Sequence, residues 1–455
     1  DLPIMRTTLT LYLVIGMSML VVLNGCSNTS DDITSDDLDN ALISALQETA
    51  NGNGLSDYIL PESDNLTAIP QDPNNTLTPQ KVQLGRLLFH ETAISLNSTK
   101  GEGKGTFSCA SCHHSQGGFQ ACMTQGIGEG GTGFGTTGEG RTINTIYNED
   151  EIDVQPIRTP SAMNTAYQKN MLWNGQFGAT GLNAGTENLW TSDTPKENNN
   201  LGYEGLETQA IAGLGVHRLV IHDSVFVDNK AEYVDLFASA FADIPANERI
   251  TTENGGLAIA AYERTLLANE APFQQWLRGN TEAMNESEKM GALLFFGKAQ
   301  CASCHNGPAL NSMAFYALGM NDLTDGFAID PDNDTHKGRG GFTGKHIDMF
   351  KFKVPQLYNL KNSPFYGHGA SFNSITDVVR YKNEAIAENN NVPSYLMPKE
   401  FRSLNLTEEE ISYIANFIEN ALYDPNLSRY TPSALPSGSC FPNNDNESRD
   451  DLGCN

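Results

Sequence analysis

Two short stretches, "CASCHH" at 109–114 and "CASCHN" at 301–306, concentrate the chemistry of this chain. Each sets two thiols three positions apart and places an imidazole directly after the second. A structural zinc site draws its CxxC pairs from about fifteen to twenty residues apart, whereas these lie about 190 apart. A redox-active CxxC pair belongs beside a βαβ pattern and has no use for the histidine. Covalent c-type haem uses every residue: the thiols add to the two vinyl groups, and the adjacent imidazole reaches the iron. The sequence thus predicts two haem c groups, one on Cys109, Cys112 and His113, the other on Cys301, Cys304 and His305. His113 and His305 are the expected iron ligands. His114 has no part in the motif and is expected at the surface or beside a propionate.

Both motifs belong to a longer repeat. "VQLGRLLFHETAISLNSTKGEGKGTFSCASCH" matches "EKMGALLFFGKAQCASCH", with Gly85 and Gly291 at the start of helical runs containing L-L-F. Downstream, "TPSAMNTAYQKNMLWNGQF" matches "VPQLYNLKNSPFYGHGASF", pairing Pro160 with Pro355 and Asn164 with Asn359. Two related units of about 80–245 and 255–430 result. Runs such as "NGGLAIAAYERTLLA" and "LTEEEISYIANFIENAL" have helical period, the second opening on Thr407 as N-cap. Few segments alternate at period two, so the expected fold is mainly α.

Function depends on what faces each iron from the far side, since two protein ligands suit electron transfer and an open face admits an oxidant. The amphipathic run after each aromatic-x-Gly turn is placed to return there. In the first unit it brings Gln209, His217 and Arg218; in the second, Tyr381 and Lys382. His217 could take and return a proton of hydrogen peroxide while Arg218 stabilises the departing oxygen. A sixth iron ligand and an ordinary surface turn are the alternatives for His217.

The motifs "LGRLLF", "RTPSAMNTA", "WNGQF", "LETQA", "KVPQLYNL" and "YGHGASFNSITDVV", with both CASCH copies, resemble the bacterial di-haem cytochrome c peroxidases and MauG-type enzymes over about residues 80–425. The resemblance implies two class-I cytochrome c-like domains, with a peroxidatic haem in the N-terminal one and an electron-transfer haem in the C-terminal one. It implies that Trp173 relays electrons between the haems, that Gln209 lies in the distal pocket, and that His368 contacts the second haem. His217 stands where the family has a catalytic glutamate. The loop after the first CxxCH lacks the histidine that blocks the iron in many members, so the first haem is expected open without reductive activation. The methionine ligand of the second haem corresponds to Lys382; Tyr381, Met320 and Met397 are the other candidates. An interdomain calcium is also implied, although Arg158 replaces its asparagine ligand. Homodimers are common in the family.

Outside these units, the formal charge of −27 gives nucleic-acid binding no electrostatic support. Met5-Arg6, an apolar run to Leu23 and "NGC" resemble a bacterial lipoprotein signal, so 1–26 is expected to be signal peptide and anchor. The protein is then expected in the periplasm or cell envelope, held to membrane through lipid on Cys26. Residues 27–79 are expected to be a flexible tether with room for one helix through "LDNALISALQE", 80–250 and 251–430 the two haem domains, and 431–455 a tail. Cys440 and Cys454 could pair in that tail, with Cys122 as the competing partner. The leading expectation is a peroxidase fed by a small cytochrome c or cupredoxin. A MauG-like oxidase acting on a protein or organic substrate is the second, and a non-catalytic di-haem electron carrier the third.

Overall fold

Residues 35–226 and 231–454 are described by a computed structural model; the expected signal segment, Cys26 and residues 27–34 lie outside the described residues. The helices that matter for the sites are α1 (Ser35–Thr49), α2 (Pro79–His90), α3 (Gly205–Val216), α4 (Thr252–Arg264), α5 (Glu286–Phe296), α6 (Ile375–Glu384), α7 (Glu408–Asn416) and α8 (Asn446–Leu452). Long loops with 3-10 turns join them. Two antiparallel ribbons complete the fold among the described residues: β1 (Gly131–Thr132) with β2 (Thr142–Ile143), and β3 (Phe315–Tyr316) with β4 (Phe352–Lys353). The chain is mainly helical, as expected. No helix among the described residues is long and apolar enough to cross a membrane.

Helix starts follow their side chains. Thr78 caps α2 with Pro79 in its first turn, and Thr251 caps α4. Capping boxes of Asn285 with Glu288 and Thr407 with Glu410 open α5 and α7. The repeat has a physical basis at its glycines. A Cβ on Gly85 of α2 would collide with the Ala258 carbonyl of α4, and one on Gly291 of α5 with the Tyr413 carbonyl of α7. In each unit the helix leading to the cysteines therefore crosses a later helix at backbone contact, which only glycine permits. Asn164 and Asn359 share a left-handed conformation, φ 56° and 55°. Their N–H groups donate to Leu266 and Leu422, and their amide oxygens accept from Ala268 and Asp424.

Three expected boundaries change. Helix α4 packs on α2 and α3 of the first unit, so no division falls at 250/251. From Ser35 onward the chain is one compact unit, with one main core cluster reaching from Leu42 to Leu435. Residues 35–79 are packed rather than a tether. Helix α1 buries Leu38, Leu42 and Leu46, its Asp39 accepts from the Trp276 indole (2.7 Å) and pairs with Lys289 (2.8 Å), and Leu60 and Ile69 are buried beyond it. The tail is folded too, carrying α8 and a Cys440–Cys454 disulfide with Cα atoms 5.8 Å apart. Cys122 is buried and unpaired, its thiol donating to the Asn362 carbonyl at 3.2 Å.

Candidate functional site

Each CxxCH sits on a 3-10 turn, Cys109–Ser111 or Cys301–Ser303, and each histidine is held by carbonyls. His113 Nδ1 donates to Phe119 O at 3.2 Å, with the Pro160 carbonyl also acting on the ring. His305 Nδ1 donates to Leu310 O and to Pro355 O, both at 3.1 Å. Pro355 thus orients His305, and its repeat partner Pro160 acts on His113. A carbonyl can only accept, so the proton stays on Nδ1 and Nε2 presents its lone pair. Burial pushes both imidazoles down to about 4, which keeps that lone pair free. Burial pushes the Cys112 and Cys301 thiols up to about 12, opposite to the activated thiolate of a redox pair. Among the described residues the cysteine pairs do not meet in a metal-holding group.

Helix α3 positions the residues beside the first turn. Gln209, Gly213 and His217 follow one another at helical spacing, and a Cβ on Gly213 would lie 4.0 Å from Gln209 Nε2 and 3.9 Å from His217 Cδ2. His217 acts electrostatically on His113, which places it at the first site. Its Nδ1 donates to Asp153, 2.9 and 3.1 Å from the two carboxylate oxygens. Burial alone would lower its pKa; the charge and hydrogen bond of Asp153 outweigh that and raise it above the ordinary value. Arg218 follows in the left-handed region at φ 59°. Its Nη1 pairs with fully buried Glu129 at 2.5 Å and donates to Glu151 O at 2.7 Å. The guanidinium charge is therefore neutralised by a carboxylate. Asp153 and Glu129 were not foreseen from sequence, because their partners lie 64 and 89 positions away. His114 is buried rather than at the surface. It accepts from Gly117 N and packs on Phe134, and burial pushes it down to about 3.

The second turn opens into a cavity of about 330 Å³ lined by Cys301, Cys304, His305, Trp173, His368, Lys382 and Met320, with Arg158 and Lys353 in its wall. The two candidates for the far side separate here. Lys382 reaches the cavity, where its charge acts on both thiols, and burial pushes it down to about 8. Tyr381 is outside the lining, its hydroxyl donating to Leu318 O at 2.5 Å. Met320 lines the cavity and Met397 does not. Trp173 donates its indole N–H to Arg158 O at 2.8 Å and faces the His368 ring edge-on, centroids 6.4 Å apart. His368 stacks on Phe352 and pairs with Asp322 at 3.1 Å. At the position of the expected calcium, the Arg158 guanidinium donates to Met123 O (3.2 Å), Gln120 Oε1 (3.0 Å) and Ser363 Oγ (2.6 Å).

The family model described as di-haem cytochrome c peroxidase matches residues 79–282, the stretch holding the first turn, its distal helix and α4. Over residues 79–282 the chain is thus similar to the di-haem cytochrome c peroxidases. The chain is 29% identical over 406 residues to the cytochrome-c peroxidase IdrP1 of Denitromonas iodatirespirans, covering 83% of this chain and 91% of that protein. It is 27% identical over 366 residues to the methylamine utilization protein MauG of Methylorubrum extorquens, covering 79% and 82%. The crystal structure of a MauG-like protein associated with microbial copper homeostasis shares the fold, with a TM-score of 0.56 at 24% identity over 81% of this chain and 95% of that one.

The similarity to di-haem peroxidases implies haem c cofactors, and the cavity at the second turn fits one. Its walls are largely apolar; Asp322 and Glu400 also line it, yet among the described residues neither Arg158 nor Lys353 bonds a carboxylate, Lys353 bonding Gln168 and Asn170 O, and burial pushes Lys353 down to about 7. Buried charges are ordinarily paired. A cofactor carrying two propionates answers to that surplus in a chain that is otherwise strongly acidic.

Proposed function

We propose that this protein is a di-haem peroxidase that reduces hydrogen peroxide to water with electrons from a small redox protein. The supporting observation is the asymmetry of the sites. An Asp153-held imidazole shares an open helix face with Gln209 beside the first CxxCH, whereas an amine and a thioether, Lys382 and Met320, line the second cavity. Haem iron, when bound, supplies redox chemistry at the peroxide O–O bond. His217 takes the peroxide proton at Nε2 and returns it to the departing oxygen, and Asp153 stabilises the imidazolium at Nδ1. Gln209 orients the peroxide. Arg218, neutralised by Glu129, holds the turn in place rather than the leaving oxygen. Two electrons and two protons complete the reduction to water, the electrons passing the second site and Trp173. Lys382, which lines the second cavity, would help to hold the second haem there.

Optical and EPR spectra of the oxidised holoprotein, before and after peroxide, test this proposal. It requires a high-spin signal that reacts with peroxide, followed by rapid oxidation of reduced cytochrome c. Purely low-spin, inert haem would make the protein an electron carrier. An oxidised state that persists beside the donor would make it a MauG-like oxidase.

A further inference from the structure

The folded tail binds both sides of the first site. Pro442 O accepts from Ser108 Oγ (3.0 Å) and Ser111 Oγ (3.2 Å), the two serines that flank Cys109 on the haem-attachment turn. Asn444 bonds the approach to that turn through Thr106 O and Gly105 O. A few residues on, the same segment grips the glycine-rich loop. Asp451 accepts from Phe134 N (2.8 Å) and Gly135 N (2.7 Å), and Asp445 from Gly133 N and Thr132 Oγ1, both at 3.0 Å. Asp445 also pairs with buried Arg141 at 3.4 Å, whose guanidinium donates to Ile127 O (2.6 Å) and Gly128 O (2.8 Å).

From there one peptide step reaches the distal residues. Gly128 N donates to Asp153 O and Asp153 N to Glu129 O, both at 2.9 Å. Their carboxylates hold His217 and Arg218. The Cys440–Cys454 disulfide closes the segment on itself, and Arg449 ties it again through Cys454 O at 2.8 Å.

The geometry points to the 440–454 segment as a working part of the first site: Asp445 and Asp451 are positioning residues that set Asp153, and through it His217, against the haem-attachment turn. This rests on the peroxidatic reading of that site. The tail bonds the haem-attachment turn through Pro442 and the glycine-rich loop through Asp445 and Asp451, and so fixes the one relative to the other. Loosening it lets the loop drift while leaving the second site alone.

The test uses holoprotein carrying Asp445→Ala and Asp451→Ala together. The second-order rate with peroxide should fall about ten-fold or more, since small misplacement of an acid–base group is costly. The high-spin EPR signal of the first haem should broaden, with haem content and the second haem's spectrum unchanged. An unaltered rate and first-haem signal would overturn the proposal. If the double variant loses haem, hydrogen exchange on the wild-type holoprotein decides instead, before and after reduction of the disulfide and reoxidation of the haems. Loss of protection at the Phe134 and Gly135 amides together with a slower peroxide reaction supports the tail's role. Retained protection, or lost protection at full rate, overturns it. His217→Ala separates the two proposals. If it reacts normally, the peroxidatic reading fails; if it is slow while the tail variant is normal, only the tail's role fails.

Discussion

At the scale of single residues, His217 carries the mechanism and so bears the sharpest predictions. His217→Ala should slow the peroxide reaction by about 10²–10⁴-fold, the usual weight of a positioned acid–base group, with haem content intact. The pH profile follows from the sign of its shift. Asp153 stabilises the imidazolium and raises the pKa, while a base must be neutral to take a proton. Activity should therefore fall, on lowering pH, through a pKa raised from the ordinary histidine value. Asp153→Asn removes the stabilising charge, leaves burial to dominate, and should move that acid limb to lower pH; an unmoved limb in stopped-flow traces would refute the pairing. At the second site, Lys382→Ala should change the low-spin absorption and EPR of the second haem, and Tyr381→Phe should not, because only Lys382 lines the cavity. The attachment residues were legible in sequence because covalent chemistry confines them to five consecutive positions. Asp153 and Glu129 were not, because a carboxylate bonded across a long loop leaves no local signature.

At the scale of elements, the two glycine crossings organise everything that follows them. Gly85→Ala and Gly291→Ala each press a methyl group into a backbone carbonyl that cannot swing aside. Each should cost about 3 kcal/mol or more, near the upper end for overpacking, and chemical denaturation of the holoprotein reads this directly. Cap residues, periodicity and the internal repeat gave α2, α4, α5 and α7 their places in sequence. The packing of helix α1, not its helicity, shows where composition misleads. Its surroundings are polar enough to suggest a tether, but Leu38, Leu42 and Leu46 recur every four residues and bury one stripe. Glycine-rich loop 126–141 was equally opaque. Its order comes from Arg141 and from tail carboxylates some three hundred positions away.

At the scale of the whole molecule, the acidic surface should govern encounter with the electron donor. A donor with basic patches should lose turnover several-fold as ionic strength rises from about 0.01 to 0.15 M, because screening shortens the reach of the attraction. Steady-state kinetics against salt will show this, and a flat response would exclude electrostatic steering. The two sites are also nearer neighbours than the two-unit repeat suggests. Pro160 lines the second cavity and lends its carbonyl to His113 of the first. A single peptide is thus both partition and bracket. Displacing that partition from one side should alter the electron-donating power of the imidazole on the other. Reducing or religating the second haem should therefore register as a shift in the first haem's absorption bands, with Pro160 as the peptide common to both sites.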